Sequence, residues 1–127
     1  MIDIRVIVRG ESDTPPFVRM FQYFDKDEES IFLNSVLAIK EKVEKRLKIN
    51  TNESLVVYCA YVIDQVRDHK SQVDIENAVH DVLSSDQVLI GVPETLREMS
   101  FDVIVDKYPK QRIKFSEPMK ISNYIMT

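Results

Sequence analysis

Glycine is almost absent: the chain of 127 residues has two, Gly10 and Gly91. Neither G-x-G-x-x-G nor a Walker loop can be built from them, which argues against nucleotide enzymes of those types. The single cysteine, Cys59, allows no internal disulfide and no Cys-x-x-Cys pair for zinc, and its setting in LVVYCAYVI predicts a buried thiol. The two histidines, His69 and His80, form neither His-x-x-x-His nor His-Glu-x-x-His, so they read as ordinary imidazoles. Excess positive charge is missing too. With a net charge of −4 the chain has no general attraction for phosphate backbones or anionic lipid. No apolar run approaches the ~20 residues that span a bilayer, and MIDIRVIVRG carries charges where a signal peptide needs its apolar segment. A cytoplasmic protein is the expectation.

What is present is the composition of a folded domain: 44% hydrophobic and 30% charged residues. Ile2, Ile4, Val6 and Val8 alternate with Asp3, Arg5 and Arg9, predicting a strand over residues 2 to 9. GESDTPP then reads as turn and linker. Phe17 to Phe24, FVRMFQYF, is an aromatic arm that periodicity assigns neither to helix nor to extended chain, and that either packs on its own domain or docks on a neighbour.

Helical spacing begins near Asp27. Phe32, Val36, Ile39, Val43 and Leu47 predict a helix over about 28 to 48, with Asp25 and Glu28, or Asp27, at its start and Glu41/Lys45 and Glu44/Lys48 pairs on its surface. The acids of DKDEE suit a first helical turn, and the interleaved glutamates of KEKVEKRLK mark a solvated face rather than a nucleic-acid stripe. A nearly all-apolar helix follows over about 53 to 68, capped by Asn52. Ser71 or Asp74 opens a third, with Ile75, Ala78, Val79, Val82 and Leu83 as its stripe. Ser84 and Gln87 have capping-box spacing for a short further helix, which Gly91 is placed to end in a left-handed conformation before Pro93. The period then drops to two. Phe101, Val103 and Val105, then Ile113 and Phe115 after KYPKQ, predict an antiparallel hairpin. A lone hairpin is marginal in water, so it must lean on the helices or on another chain.

Several motifs in fixed order add a resemblance. RLKIN at 46 to 50, ES at 53 and 54, RDHKS at 67 to 71, VL at 82 and 83, and DQVLIGVPETL at 86 to 96 resemble the gamma subunit of urease. The likeness runs from the first long helix through the hairpin to about Pro118. It implies an α+β fold, three to four helices followed by a C-terminal antiparallel hairpin, here with an extra N-terminal strand. It also implies a division of the chain into an N-terminal extension at 1–24, a gamma-like domain at 25–118 and a tail at 119–127.

In that family the gamma chain is a small structural subunit that assembles with beta and alpha subunits, commonly as a trimer of such units. The alpha subunit holds two nickel ions bridged by a carbamylated lysine and hydrolyses urea to ammonia and carbamate. The resemblance therefore implies no catalytic, cofactor-binding or metal-ligating residue on this chain, and nickel on the alpha partner. The matched positions take architectural roles: Asn50 and Asn52 between the first two long helices; Arg67, Asp68, Lys70 and Ser71 in the connection to the third; Gln87, Gly91, Val92 and Pro93 in the turn toward the hairpin.

The chain departs from the family pattern at His69, usually glycine, at Thr51 and Asn52, often Tyr-Pro, and at Ile90, often glutamate. The alternative to a noncatalytic urease subunit is a gamma-like module working alone as a homo-oligomer or adaptor, joined through edge pairing of Ile2 to Val8.

Overall fold

The computed structural model describes residues 1–10 and 17–119, and the backbone alone for 17–23. The linker beyond Gly10 and the tail beyond Met119 lie outside the described residues.

The alternating N-terminal segment folds as strand β1, Ile2–Arg9, with Ile2, Ile4, Val6 and Val8 all fully buried. The aromatic arm is also extended. It forms strand β2, Phe17–Phe24, antiparallel to β1 with a register shift between Val6 and Ile7. Its last residue, Phe24, stacks on Phe32 at 4.8 Å between ring centroids; the side chains of Phe17, Phe21 and Tyr23 lie outside the described ones.

Strands β3, Glu98–Val105, and β4, Gln111–Ser116, form the expected hairpin, and its five-residue connection is Asp106–Lys110, one residue earlier than the pattern placed it. The sheet order is β2-β1-β3-β4, every neighbouring pair antiparallel. Strand β1 is therefore bonded on both sides. Edge pairing through Ile2 to Val8 is not available, because Ile4 already faces Gln22 on one side and Val103 on the other.

Register explains the core. The pairs Ile2–Val105, Ile4–Val103, Val6–Phe101 and Val8–Met99 put one apolar face of the sheet under the helices, and Ile113 and Phe115 extend it across β4. Arg5, Arg9, Arg112 and Lys114 stand on the solvent side. The result is a two-layer α+β fold.

Helix α1, Lys26–Glu44, opens with the predicted Asp25–Glu28 capping box: Asp25 accepts from the Asp27 and Glu28 backbone N–H groups at 3.0 and 2.9 Å. It closes four residues before the expected limit. Arg46 turns left-handed at φ 62°, and its N–H and that of Leu47 donate to Val43 and Lys42, a Schellman ending. Leu47 thus leaves the apolar stripe and is exposed.

Helix α2, Thr51–Arg67, is capped by Asn50 and not Asn52. The reason is spacing: Glu53, three residues after Asn50, returns a bond to the Asn50 N–H at 3.0 Å while accepting the side chain of Lys42, whereas Asn52 has Leu55 in that position. Helix α2 also ends in a Schellman motif, with His69 at φ 60°. A side chain at such a site costs roughly 1 kcal/mol relative to glycine. Arg46→Gly is expected to raise stability by about 0.5–1 kcal/mol, read as a shifted urea midpoint at unchanged slope.

Helix α3, Gln72–Ala78, takes Ser71 as its cap and tightens into a 3-10 turn at Val79–Asp81. Ser84 and Gln87 do bracket a turn, Ser85–Gln87, but it goes no further. Val88 straightens and pairs with Ile49 in a parallel bridge. Gly91, left-handed at φ 93°, then starts helix α4, Val92–Thr95, instead of ending a helix before it. Pro93 sits in that first turn, where its missing N–H is no loss.

At the centre of α2, Tyr58 is fully buried and its hydroxyl has no hydrogen-bond partner among the described residues. Burial pushes its pKa up. An unsatisfied hydroxyl in a core is a net cost. Tyr58→Phe is expected to gain about 1 kcal/mol, checked by thermal unfolding.

Candidate functional site

The residues that sequence singled out for chemistry are dispersed. Cys59 is wholly buried on α2, and burial raises its pKa, which keeps the thiol protonated and unreactive. His69 sits in the left-handed cap of α2 and meets Tyr108 edge-on, ring centroids 4.7 Å apart, with Nε2 3.2 Å from the phenol oxygen. His80 Nδ1 lies 3.2 Å from the Pro118 carbonyl. Among the described residues, no three His, Cys, Asp or Glu side chains stand together as a ligand set for a metal.

The acids of DKDEE divide. Asp25 caps α1, while Glu29 forms an ion pair with Arg67. Arg67 does not serve the α2–α3 connection that its place in the sequence suggests: its side chain also donates to Asp106 at 3.1 and 3.2 Å, tying the start of α1, the end of α2 and the β3–β4 turn together. Arg67 holds the Asp106 carboxyl below the usual carboxylate range. No sequence signal identifies this cluster, because Glu29 and Asp106 lie 38 and 39 residues from Arg67.

Helices α1 and α2 and the α3 region line an open groove of about 540 Å³. Val57, Tyr61, Val82 and Leu83 form its apolar floor, and Glu44, Asp64 and Asp81 stand around it with Lys40. Tyr61 is fixed by donating to the Ile75 carbonyl at 2.7 Å; burial first, then the charge of Asp81, raises its pKa. The arrangement offers surface and charge rather than an aligned nucleophile and base.

The turn carrying Gly91 is a projecting one. Leu89 is exposed and Ile90 fully so.

The model of the family described as "Urease, gamma subunit" matches residues 21–110 of this chain. The chain belongs to the urease gamma subunit family. The match starts within β2 and ends at the last residue before β4, so β1 lies ahead of it. Two curated relatives agree. "Urease subunit gamma" of Halalkalibacterium halodurans is 31% identical over 78 residues, 61% of this chain and 77% of the relative. The protein of the same name from Shewanella halifaxensis is 27% identical over the same length and shares. The chain is thus a urease subunit by family, and membership implies a complex of several subunits. Among the described residues no helix is long and apolar enough to cross a membrane.

Ile90 is an apolar side chain on this exposed turn. With the side chain in solvent, the local fold does not require it. Ile90→Glu is expected to change stability by no more than about 0.5 kcal/mol, measured by chemical denaturation.

Proposed function

We propose that this chain is the noncatalytic gamma subunit of a nickel-dependent urease. On this reading an alpha subunit holds the nickel and hydrolyses urea to ammonia and carbamate. Beta and gamma chains complete each unit, the units are related by threefold symmetry, and the assembly works in the cytoplasm. The observation that carries the reading is the family match over residues 21–110, which spans helices α1 to α4 and β3.

The chain's own chemistry supports a scaffold role. Arg67 locks α1, α2 and the β3–β4 turn, and Lys42 bonded to Glu53 at 2.6 Å locks α1 to α2, so the helical layer presents a fixed surface on the sheet. No residue is assigned to catalysis, to a cofactor or to a metal.

The experiment is reconstitution. The isolated chain supplied with nickel is expected to show no urea hydrolysis, and the same chain mixed with alpha and beta subunits is expected to yield an active complex that contains it. Urea hydrolysis by the isolated chain with nickel, or an alpha–beta complex that leaves the chain behind, would overturn the reading.

A further inference from the structure

Ion pairs tie several acidic side chains of this protein to cations. Glu29 and Asp106 hold Arg67, Glu53 holds Lys42, Asp102 holds Arg112, Glu41 holds Lys45 and Glu117 holds Arg97. The acids around the groove between α1, α2 and the α3 region are not among them. Glu44, Asp64 and Asp81 come from its three walls, and none is paired with a cation among the described residues. Lys40 is the cation that lines it.

These carboxylates surround an apolar floor, and the apolar surface continues beyond the groove. Leu33 and Leu37, both exposed, lie on α1 at the spacing that places them in line with Lys40 and Glu44. From Leu33 to Glu44 the strip is about 16 Å long, at 1.5 Å per helical residue. A surface of this form selects by sign. Apolar contact supplies area, while unpaired carboxylates repel acidic segments and attract basic ones.

We propose that this groove is the docking site for an amphipathic segment of a larger urease subunit, one whose apolar side chains are flanked by lysine or arginine. The proposal rests on the gamma-subunit reading and names the chemistry of the partner contact. The apolar side chains enter over Val57, Tyr61 and Val82, and the flanking cations meet Glu44, Asp64 and Asp81. Leu33 and Leu37 extend the contact along α1. Tyr61, held by its bond to Ile75, gives the floor a fixed shape.

The test uses the full chain co-produced with its alpha and beta subunits. Asp64→Lys/Asp81→Lys changes two exposed side chains, so the thermal midpoint of the free chain is expected to stay near that of the unaltered protein. Incorporation into the complex is expected to fall at least tenfold. An equal charge change at Asp86→Lys/Glu94→Lys, outside the groove, is expected to leave incorporation unchanged. A photo-crosslinking residue at Gln65, on the groove wall, is expected to capture a peptide of alpha or beta with lysine or arginine beside apolar residues; reversing those cations is expected to restore incorporation of the double variant.

Normal assembly of Asp64→Lys/Asp81→Lys would overturn the proposal, and so would crosslinks confined to a second copy of this chain or to an acidic segment. Either result leaves the subunit reading standing, because the unaltered chain still assembles. Failure of the unaltered chain to join alpha and beta is a separate outcome, and it would overturn both.

Discussion

Ile4→Asp is expected to leave no cooperatively folding protein at neutral pH and room temperature. Ile4 is fully buried on a strand bonded to neighbours on both sides. The substitution removes about 2 kcal/mol of apolar burial and puts a carboxylate where no cation is at hand, at a cost of several kcal/mol more. Their sum rivals the whole stability of an ordinary domain, about 5–15 kcal/mol. Removal of residues 1–24 has the same expected result, since it takes away four fully buried side chains and two strands. Ile4→Val, which keeps the shape, is expected to cost only about 0.5–1.5 kcal/mol and to fold. Circular dichroism melts distinguish the three. A chain lacking residues 1–24 that melts cooperatively near the temperature of the full chain would show that β1 is not an inner strand of the sheet.

Arg67→Met is expected to lower stability by about 1–3 kcal/mol at pH 7, the second largest effect, because it leaves Glu29 without its cation. The Glu29 side chain is only 14% exposed, so water replaces the lost partner poorly. The Asp106 side chain is 42% exposed and contributes the lesser part. The pH dependence follows from Asp106, whose carboxyl is held low chiefly by the hydrogen bond from Arg67. A depressed folded pKa adds stability that is complete above the unfolded value, about 4, and is lost as pH falls through the lower folded value. The difference between the two proteins is therefore expected to be widest near neutrality and to narrow below about pH 4. Glu53 with Lys42 and Asp102 with Arg112 shift in the same direction, but their pairs persist in both proteins and cancel in the comparison. Urea titrations at pH 3.5 and pH 7 measure the change.

Elements with a strong local period were legible. The alternation of Ile2 to Val8, the all-apolar face of α2 and the two-residue period from Phe101 to Phe115 reflect burial that each segment undergoes on its own account. Stops were less legible than starts. Asp25 and Ser71 announce helices, whereas the ends of α1 and α2 use Arg46 and His69 in a conformation that usually advertises itself through glycine. Beyond the β3–β4 hairpin, neighbour relations were not legible. Nothing in Ile2 to Val8 says that β2 and β3 flank it, and an N-terminal strand that pattern alone leaves free to pair with another chain is one of the two inner strands of the sheet.

The groove was hidden for the same reason. Glu44, Asp64 and Asp81 are each an unremarkable acid on a helix surface, and only the packing of α1, α2 and the α3 region brings them around one floor. Gly91 shows the limit from the other direction. Its left-handed conformation was foreseeable from composition, but its task, opening α4 after Val88 pairs with Ile49, depends on a segment forty residues away.

Whether this chain is built into a urease is measured by native mass spectrometry of the complex purified from its own cells through an affinity tag on this chain, with metal content determined on the same sample. The predicted result is one assembly holding this chain with alpha and beta subunits and carrying nickel. Recovery of the chain alone, or only with copies of itself, from cells that contain an active urease would contradict it.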